Sequence, residues 1–367
     1  MTVPGKMRAV VLTGHGGLDK LEYREDWPTP VPRPGEVLVK VGACGLNNTD
    51  INTRTAWYSK SVTEGITDAG GKGGFEFADA DSGSWGSASI KFPRIQGADV
   101  AGRIAAVGPG VDASRVGERV LIDPWILASG DWLDASRSQY FGSECDGGYA
   151  DYTRIRSENA IRIETSQTDA QLATYPCAYT TAENLTARAG LRPGETVVIN
   201  GASGGVGSAA IQLCRLRGAR VIAIASASKA DLLRQLGADQ VIDRNTPDLE
   251  QAIRDAAGGA VEVVLDVVGG NSFMPLINAL RQGGRYSSSG AIAGPLVEFD
   301  LRQLVYKDLH LTGATIVPPG TMLRLVRLIE QDLLQPLLAH SFPLKDLGKA
   351  QEIFMQKQHV GNIVIEA

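Results

Sequence analysis

Cysteine is scarce. The 367 residues hold four, Cys44, Cys145, Cys177 and Cys214. They are too few and too widely spaced for a disulfide scaffold, and no CxxC pair is present. Positive charge is not in surplus: 36 Lys and Arg stand against 41 Asp and Glu, a net charge of −5. Without a basic cluster to neutralise phosphates, a nucleic-acid partner is not expected. No apolar run approaches the roughly 18 residues of a membrane span, so no membrane partner is expected either. The opening MTVPGKMRAVVLTG lacks the charged, apolar and small-residue regions of a secretory leader. The expectation is a soluble, cytoplasmic enzyme with reduced thiols that acts on a small-molecule substrate.

Glycine, by contrast, is abundant. There are 43, which is 12 % against a usual share of about 7 %. Many of them should mark turns and close backbone approaches. The length suggests about two domains. There is no internal repeat.

Met7–Leu12 and Glu36–Val41 read as strands, and Pro28, Pro30, Pro32 and Pro34 exclude a helix between them. Further strands are expected at 100–108, 118–122 and 147–153. This part is antiparallel and β-rich. The window 59–90 departs from it, with seven Gly, six Ser and five acidic residues. It is either a mobile insertion or a lid that Phe75, Phe77 and Trp85 would anchor.

From about residue 170 the pattern becomes alternating strand and helix. Strands are expected at 196–200, 221–225, 241–242 and 261–267, and helices from 206, at 229–236, 249–256 and 273–280. Such alternation specifies an α/β domain, a parallel sheet with helices on both faces. The tail from Thr321 adds two amphipathic helices and a last strand at 361–365.

Between the first of these strands and its helix lies Gly201-Ala202-Ser203-Gly204-Gly205-Val206-Gly207. In that context glycines let a backbone approach a pyrophosphate, and the helix N-terminus supplies free N–H groups and positive dipole. The ribose of a dinucleotide is read about 20 residues on, where an NAD binder carries an acid. Here the strand runs into Ala225-Ser226-Ala227-Ser228-Lys229, without one. Ser226 and Lys229 suit a 2′-phosphate, and Arg244 is a second candidate cation or a solvated charge. The expected cofactor is NADPH.

The blocks Gly35–Val41, Gly97–Val111, Gly117–Val120, Gly190–Gly207 and Gly361–Val364, in this order, resemble the medium-chain dehydrogenase/reductase superfamily. The likeness covers nearly the whole chain outside 59–90, and points to its zinc-independent quinone oxidoreductase-like or enoyl reductase-like branch. It implies a GroES-like β-rich catalytic domain over 1–170, a Rossmann doubly wound domain over 171–316, and a return to the catalytic domain over 317–367. It also implies an active site in the cleft and a homodimer or homotetramer, with the strand near 309–314 as a pairing edge.

The zinc enzymes of that superfamily use Cys, His and Cys ligands. The matching positions here are Asn47, Asp99 and Cys177, so one ligand of three remains and no metal is expected. Cys177 is then a packing remnant or a reactive thiol. The segment Gly45–Tyr58 is similar to the quinone oxidoreductase block, with Asn47, Asp50, Arg54 and Tyr58 in register and Asn52 where a Tyr is common. A conjugated acceptor needs no Lewis acid, only donors for the developing oxyanion. Asn47 is the candidate polariser or a turn cap. Asp50 is a candidate catalytic group or a buried anchor, and Tyr58 a candidate proton donor or a packing residue. The resemblance also places Thr181, Val267, Gly269, Ser289, Gly290 and Asn362 at the cofactor. The four His match no catalytic position and read as surface or structural. Two other readings stay open: an alcohol or aldehyde dehydrogenase with an atypical site, and a low-turnover NADPH-binding sensor.

Overall fold

The computed structural model describes residues 3–66, 68–75, 78, 90–127, 131–134 and 136–367. Two sheets dominate it. The first has six parallel strands in the order Gln240–Asp243, Arg220–Ala225, Thr196–Asn200, Val261–Asp266, Leu280–Ser288 and His310–Gly313. By position in the chain that order is 3-2-1-4-5-6, the doubly wound Rossmann arrangement. Strands such as TVVIN and VEVVLD are apolar without alternation because helices cover both their faces. Val197, Val198 and Ile199 are almost wholly buried, each contributing about 1.5–3 kcal/mol from burial.

The second sheet is mixed. Its central strand, Glu36–Leu46, pairs antiparallel with Asp99–Val107, with Tyr152–Arg156 and with the last strand, Asn362–Glu366. Arg119–Ile122 and Ala160–Arg162 extend it on one side, and Leu338–Pro343 lies parallel to the last strand on the other. This is the GroES-like part, and the chain reaches it from both sides of the Rossmann segment.

Several elements depart from the sequence expectation, among them the strand expected at 147–153, which runs over Tyr152–Arg156. Asn48–Thr55 (NTDINTRT) is a helix, although it carries no apolar stripe. The strand Leu338–Pro343 (LAHSFP) interrupts the helical tail. Within the glycine-rich window, Asp68–Gly73 is a short helix beside the helix Leu347–Met355; a Cβ on Gly71 would come within 2.4 Å of the Met355 methyl. Phe75 is buried there. Phe77 and Trp85 lie outside the described residues. Among the described residues no helix is long and apolar enough to cross a membrane.

Candidate active site

The strand order of the Rossmann sheet reverses between Thr196–Asn200 and Val261–Asp266, and a crevice opens at their C-terminal ends. The glycine loop lies on its floor. Gly201 has φ +77°, a left-handed turn that glycine adopts without strain. A Cβ on Gly207 would stand 2.3 Å from the Gly201 carbonyl, so the helix Gly205–Leu216 can pack this close only with glycine there. No side chain caps this helix, which leaves its first N–H groups facing the crevice.

The opposite lip is fixed by buried Asp266. It accepts from Asn200 Nδ2 at 2.9 Å, from the Val268 N–H at 2.8 Å and from the Tyr286 hydroxyl at 2.6 Å. This sets the turn through Gly269, at φ +65°. The last strand closes the crevice from the catalytic side: the Gly361 N–H donates to the Ser203 carbonyl at 3.1 Å.

Two adjoining cavities result. One, of about 390 Å³, is lined by Gly201, Ser203, Gly204, Gly205, Val206 and Gly207, and beyond them by Ser226, Lys229, Arg244, Val267 and Gly269. The other, of about 290 Å³, is lined by Asn47, Tyr58, Cys177, Thr181, Ser289, Gly290 and Asn362, with Trp57, Trp125 and Tyr140 as its aromatic wall. Asn48, Gly205, Val206, Val267, Ile292 and Phe354 border both, so the two are continuous. The first suits an extended phosphorylated dinucleotide. It has an uncapped helix end, a glycine cradle and three cations, and no Asp or Glu among its lining residues. The second has no charged residue in its lining.

Helices aim the side chains of the second cavity. The helix Pro176–Arg188 opens on Pro at its first position and turns Cys177 and Thr181, one turn apart, to the cleft. Asn47 precedes the helix Asn48–Thr55, and its N–H donates to Asp50 Oδ2 at 2.8 Å. Its side-chain Nδ2 donates to Asp99 Oδ2 at 2.9 Å, while Asp99 Oδ1 accepts from the Cys177 N–H at 2.8 Å. Positions 47, 99 and 177 therefore meet. They present an amide, a carboxyl group with both oxygens engaged, and a thiol that burial holds protonated. That donor set does not fit the thiolate and imidazole ligation of a catalytic zinc. Among the described residues no group of three His, Cys, Asp or Glu is placed to hold a metal ion.

Burial governs the titrations. It raises Asp99 to about 8 and Asp50 to about 6. It also keeps the Tyr58 phenol protonated, against hydrogen bonds from Thr49 and Asn52 that act the other way.

Most of the sequence candidates converge, with three corrections. Asp50 lines neither cavity. Its carboxyl group accepts from the Asn47 and Gly97 N–H groups and from the Tyr149 hydroxyl, so it positions the loop that bears Asn47. Ala202 is buried under the glycine loop rather than presented to the cavity. His359, read as surface or structural, borders the dinucleotide-sized cavity, where burial lowers it to about 4. Lys229 borders that cavity too, but its ammonium donates to the Lys357 and His359 carbonyls at 2.7 and 2.8 Å. Sequence reasoning missed Asn48, Phe354 and Lys357, which carry no local motif.

Sequence profiles agree with this geometry. Residues 33–165 match the alcohol dehydrogenase GroES-like domain, and residues 205–331 match the zinc-binding dehydrogenase domain. Among solved structures, a Sinorhizobium meliloti 1021 protein provisionally described as an alcohol dehydrogenase is 44 % identical. It superposes with a TM-score of 0.91 over 99 % of this chain and 97 % of its own. The acryloyl-coenzyme A reductase of Metallosphaera sedula is 25 % identical, over 98 % of this chain and 99 % of its own. The quinone oxidoreductase of Lama guanicoe is 26 % identical over 94 % and 93 %. With both domains matched, the fold of a 44 % identical structure and likeness along almost its full length, the chain belongs to the medium-chain dehydrogenase/reductase superfamily, a family of oxidoreductases.

Proposed function

We propose that the chain is an NADPH-dependent, zinc-independent reductase of an activated carbonyl or conjugated double bond, such as a quinone, an enone or an enoyl thioester. The observation that carries this reading is the ligand set at 47, 99 and 177: an Asn amide bound to a buried carboxyl group stands where a metal site would need thiolate and imidazole. Ser226, Lys229 and Arg244, with no acid beside them in the cavity lining, support a 2′-phosphate over a bare ribose.

When bound, NADPH supplies a hydride to the β carbon of the acceptor. As the electron pair moves to the carbonyl oxygen, the second N–H of Asn47 stabilises the charge there. Asp99 holds that amide in place through its first. Tyr58, kept protonated by burial, gives its proton to the reduced product and regains one from solvent. Trp57, Trp125 and Tyr140 exclude water from the reacting carbon. The uncharged lining favours an acceptor whose reacting end is neutral.

The test follows nicotinamide absorbance while NADPH meets enones, quinones, enoyl thioesters and simple aldehydes, with a chelator present. Oxidation by the conjugated acceptors alone is expected. Turnover only of aldehydes, and only without chelator, would overturn the reading. The reading extends to a cytoplasmic homodimer or homotetramer that needs no nucleic acid or membrane. Leu296, Leu301, Val305 and Tyr306 are exposed near the outermost Rossmann strand, and Leu311 on that strand is partly exposed. Light scattering that gives a monomer at micromolar concentration would refute the oligomer.

A further inference from the structure

Lys357 is unusual in three respects. It follows the end of the helix Leu347–Met355 with φ +53°, a left-handed conformation that residues other than glycine adopt only at a cost. That turn carries its side chain into the crevice. The ammonium is partly buried, donates to Asn48 Oδ1 at 2.9 Å and lies 3.7 Å from the centre of the Phe354 ring. No Asp or Glu lines the cavity it borders.

The groups around it are cationic or neutral. Lys229 donates to the carbonyl of Lys357 itself, Arg244 adds its charge to Lys229, and His359 stands two residues on with His340 behind it. Asn48, from the helix Asn48–Thr55, and Phe354, from the helix that Lys357 follows, are neutral. Burial and Lys229 together bring Lys357 down to about 7. A partly buried lysine without a counter-ion is costly, and an anion entering the crevice would supply the missing partner. Asn48 and Phe354 border both cavities, and the Lys357 ammonium, which lines the first, touches both of them on the same side of the crevice as the join.

We propose that Lys357 binds the pyrophosphate of the dinucleotide, exchanging its Asn48 contact for a phosphate oxygen and taking up a proton from solvent as it does so. Dinucleotide binding in this chain is thereby proton-coupled. The inference rests on the dinucleotide reading given above. The sign follows from linkage: the free protein holds Lys357 mostly neutral at pH 8, and the bound phosphate restores its charge. About 0.9 proton per site is then taken up at pH 8, and about 0.1 at pH 6. Affinity weakens about eightfold between pH 7.5 and 8.5.

Calorimetric titration of the full-length protein with NADPH, in buffers of different ionisation enthalpy, measures the uptake directly. At pH 8 the 2′-phosphate is already fully ionised and adds little. NADH is expected to give the same uptake, because both dinucleotides carry the pyrophosphate. Lys357→Gln removes the uptake. Lys357→Arg, charged at every pH used, keeps binding but shows no uptake and a flat affinity between pH 7.5 and 8.5. Uptake with NADPH alone would overturn the pyrophosphate assignment. Unchanged uptake in Lys357→Arg would overturn the role of Lys357. Tight binding without uptake leaves the dinucleotide reading standing and removes only this inference, whereas no binding of either dinucleotide at any pH removes both.

Discussion

Arg54 is a buried cation that no carboxylate touches directly. It is wholly inaccessible, and its guanidinium donates to Gln351 Oε1, to the Gly16 carbonyl and to the Gly71 carbonyl. These belong to the C-terminal helix, the N-terminal loop and the short helix Asp68–Gly73, so one side chain joins three distant segments. Burial lowers it to about 10, with Asp19 opposing, which leaves it charged at neutral pH. Arg54→Leu strands three acceptors at about 1–3 kcal/mol each and recovers part of the cost of burying the charge. We expect a net loss of about 4 kcal/mol. For the catalytic domain that lowers the melting temperature by roughly 8–16 °C. Arg54→Lys keeps the charge but reaches fewer acceptors, and should lose about half as much. Differential scanning calorimetry measures the shift. Tryptic cleavage after Lys72, one residue beyond the Gly71 carbonyl, reports the local release. An Arg54→Leu protein that melts within about 2 °C of wild type and is cleaved no faster after Lys72 would refute the reasoning.

Three further outcomes are expected. Arg244→Ala should weaken NADPH binding about tenfold and leave NADH unchanged, since one charged contact to a 2′-phosphate is worth about 1.5 kcal/mol at a half-exposed site; fluorescence titration giving equal losses for both cofactors would remove Arg244 from that role. Gly207→Ala should abolish detectable dinucleotide binding, because its Cβ meets the Gly201 carbonyl and the Ala202 backbone, neither of which can move aside; equilibrium dialysis showing wild-type affinity would contradict the packing. Asp99 sits at about 8 in the folded protein, above its ordinary 3.8, so its contribution is full below pH 4 and is lost as pH rises towards 8. Urea unfolding should show stability falling by about 1 kcal/mol per unit from pH 6 to 8, with a shallower slope in Asp99→Asn; parallel slopes would sink this assignment.

The Rossmann half was legible because its signals are local. Strand Thr196–Asn200 has the expected bounds, set by an apolar run and the glycines after it. Leu249–Ala257 and Gln240–Asp243 differ from expectation by a residue or so at their ends. The helix Asn48–Thr55 was not legible, because the packing of Asn52, Thr53, Arg54 and Thr55 holds it rather than an apolar stripe. The strand Leu338–Pro343 escaped notice because it lies at a sheet edge with His340, Ser341 and Pro343 exposed. The site divides in the same way. The glycine loop and residues 47, 58, 177 and 181 follow from motifs. Lys357 and His359 reach the crevice only because a helix end and the last strand bring them there from about 150 residues beyond the loop.

The hydrogen bond from the Gly361 N–H to the Ser203 carbonyl has a consequence for biosynthesis. The glycine loop can fold as soon as its own strand and helix leave the ribosome. Its catalytic wall arrives only with the final strand, which must then pair Ile365 with Cys44, some 320 residues earlier in the chain. Throughout elongation the dinucleotide half therefore waits beside an incomplete partner, and a chain terminated before Gly361 would carry every glycine of the cradle yet lack one side of the crevice.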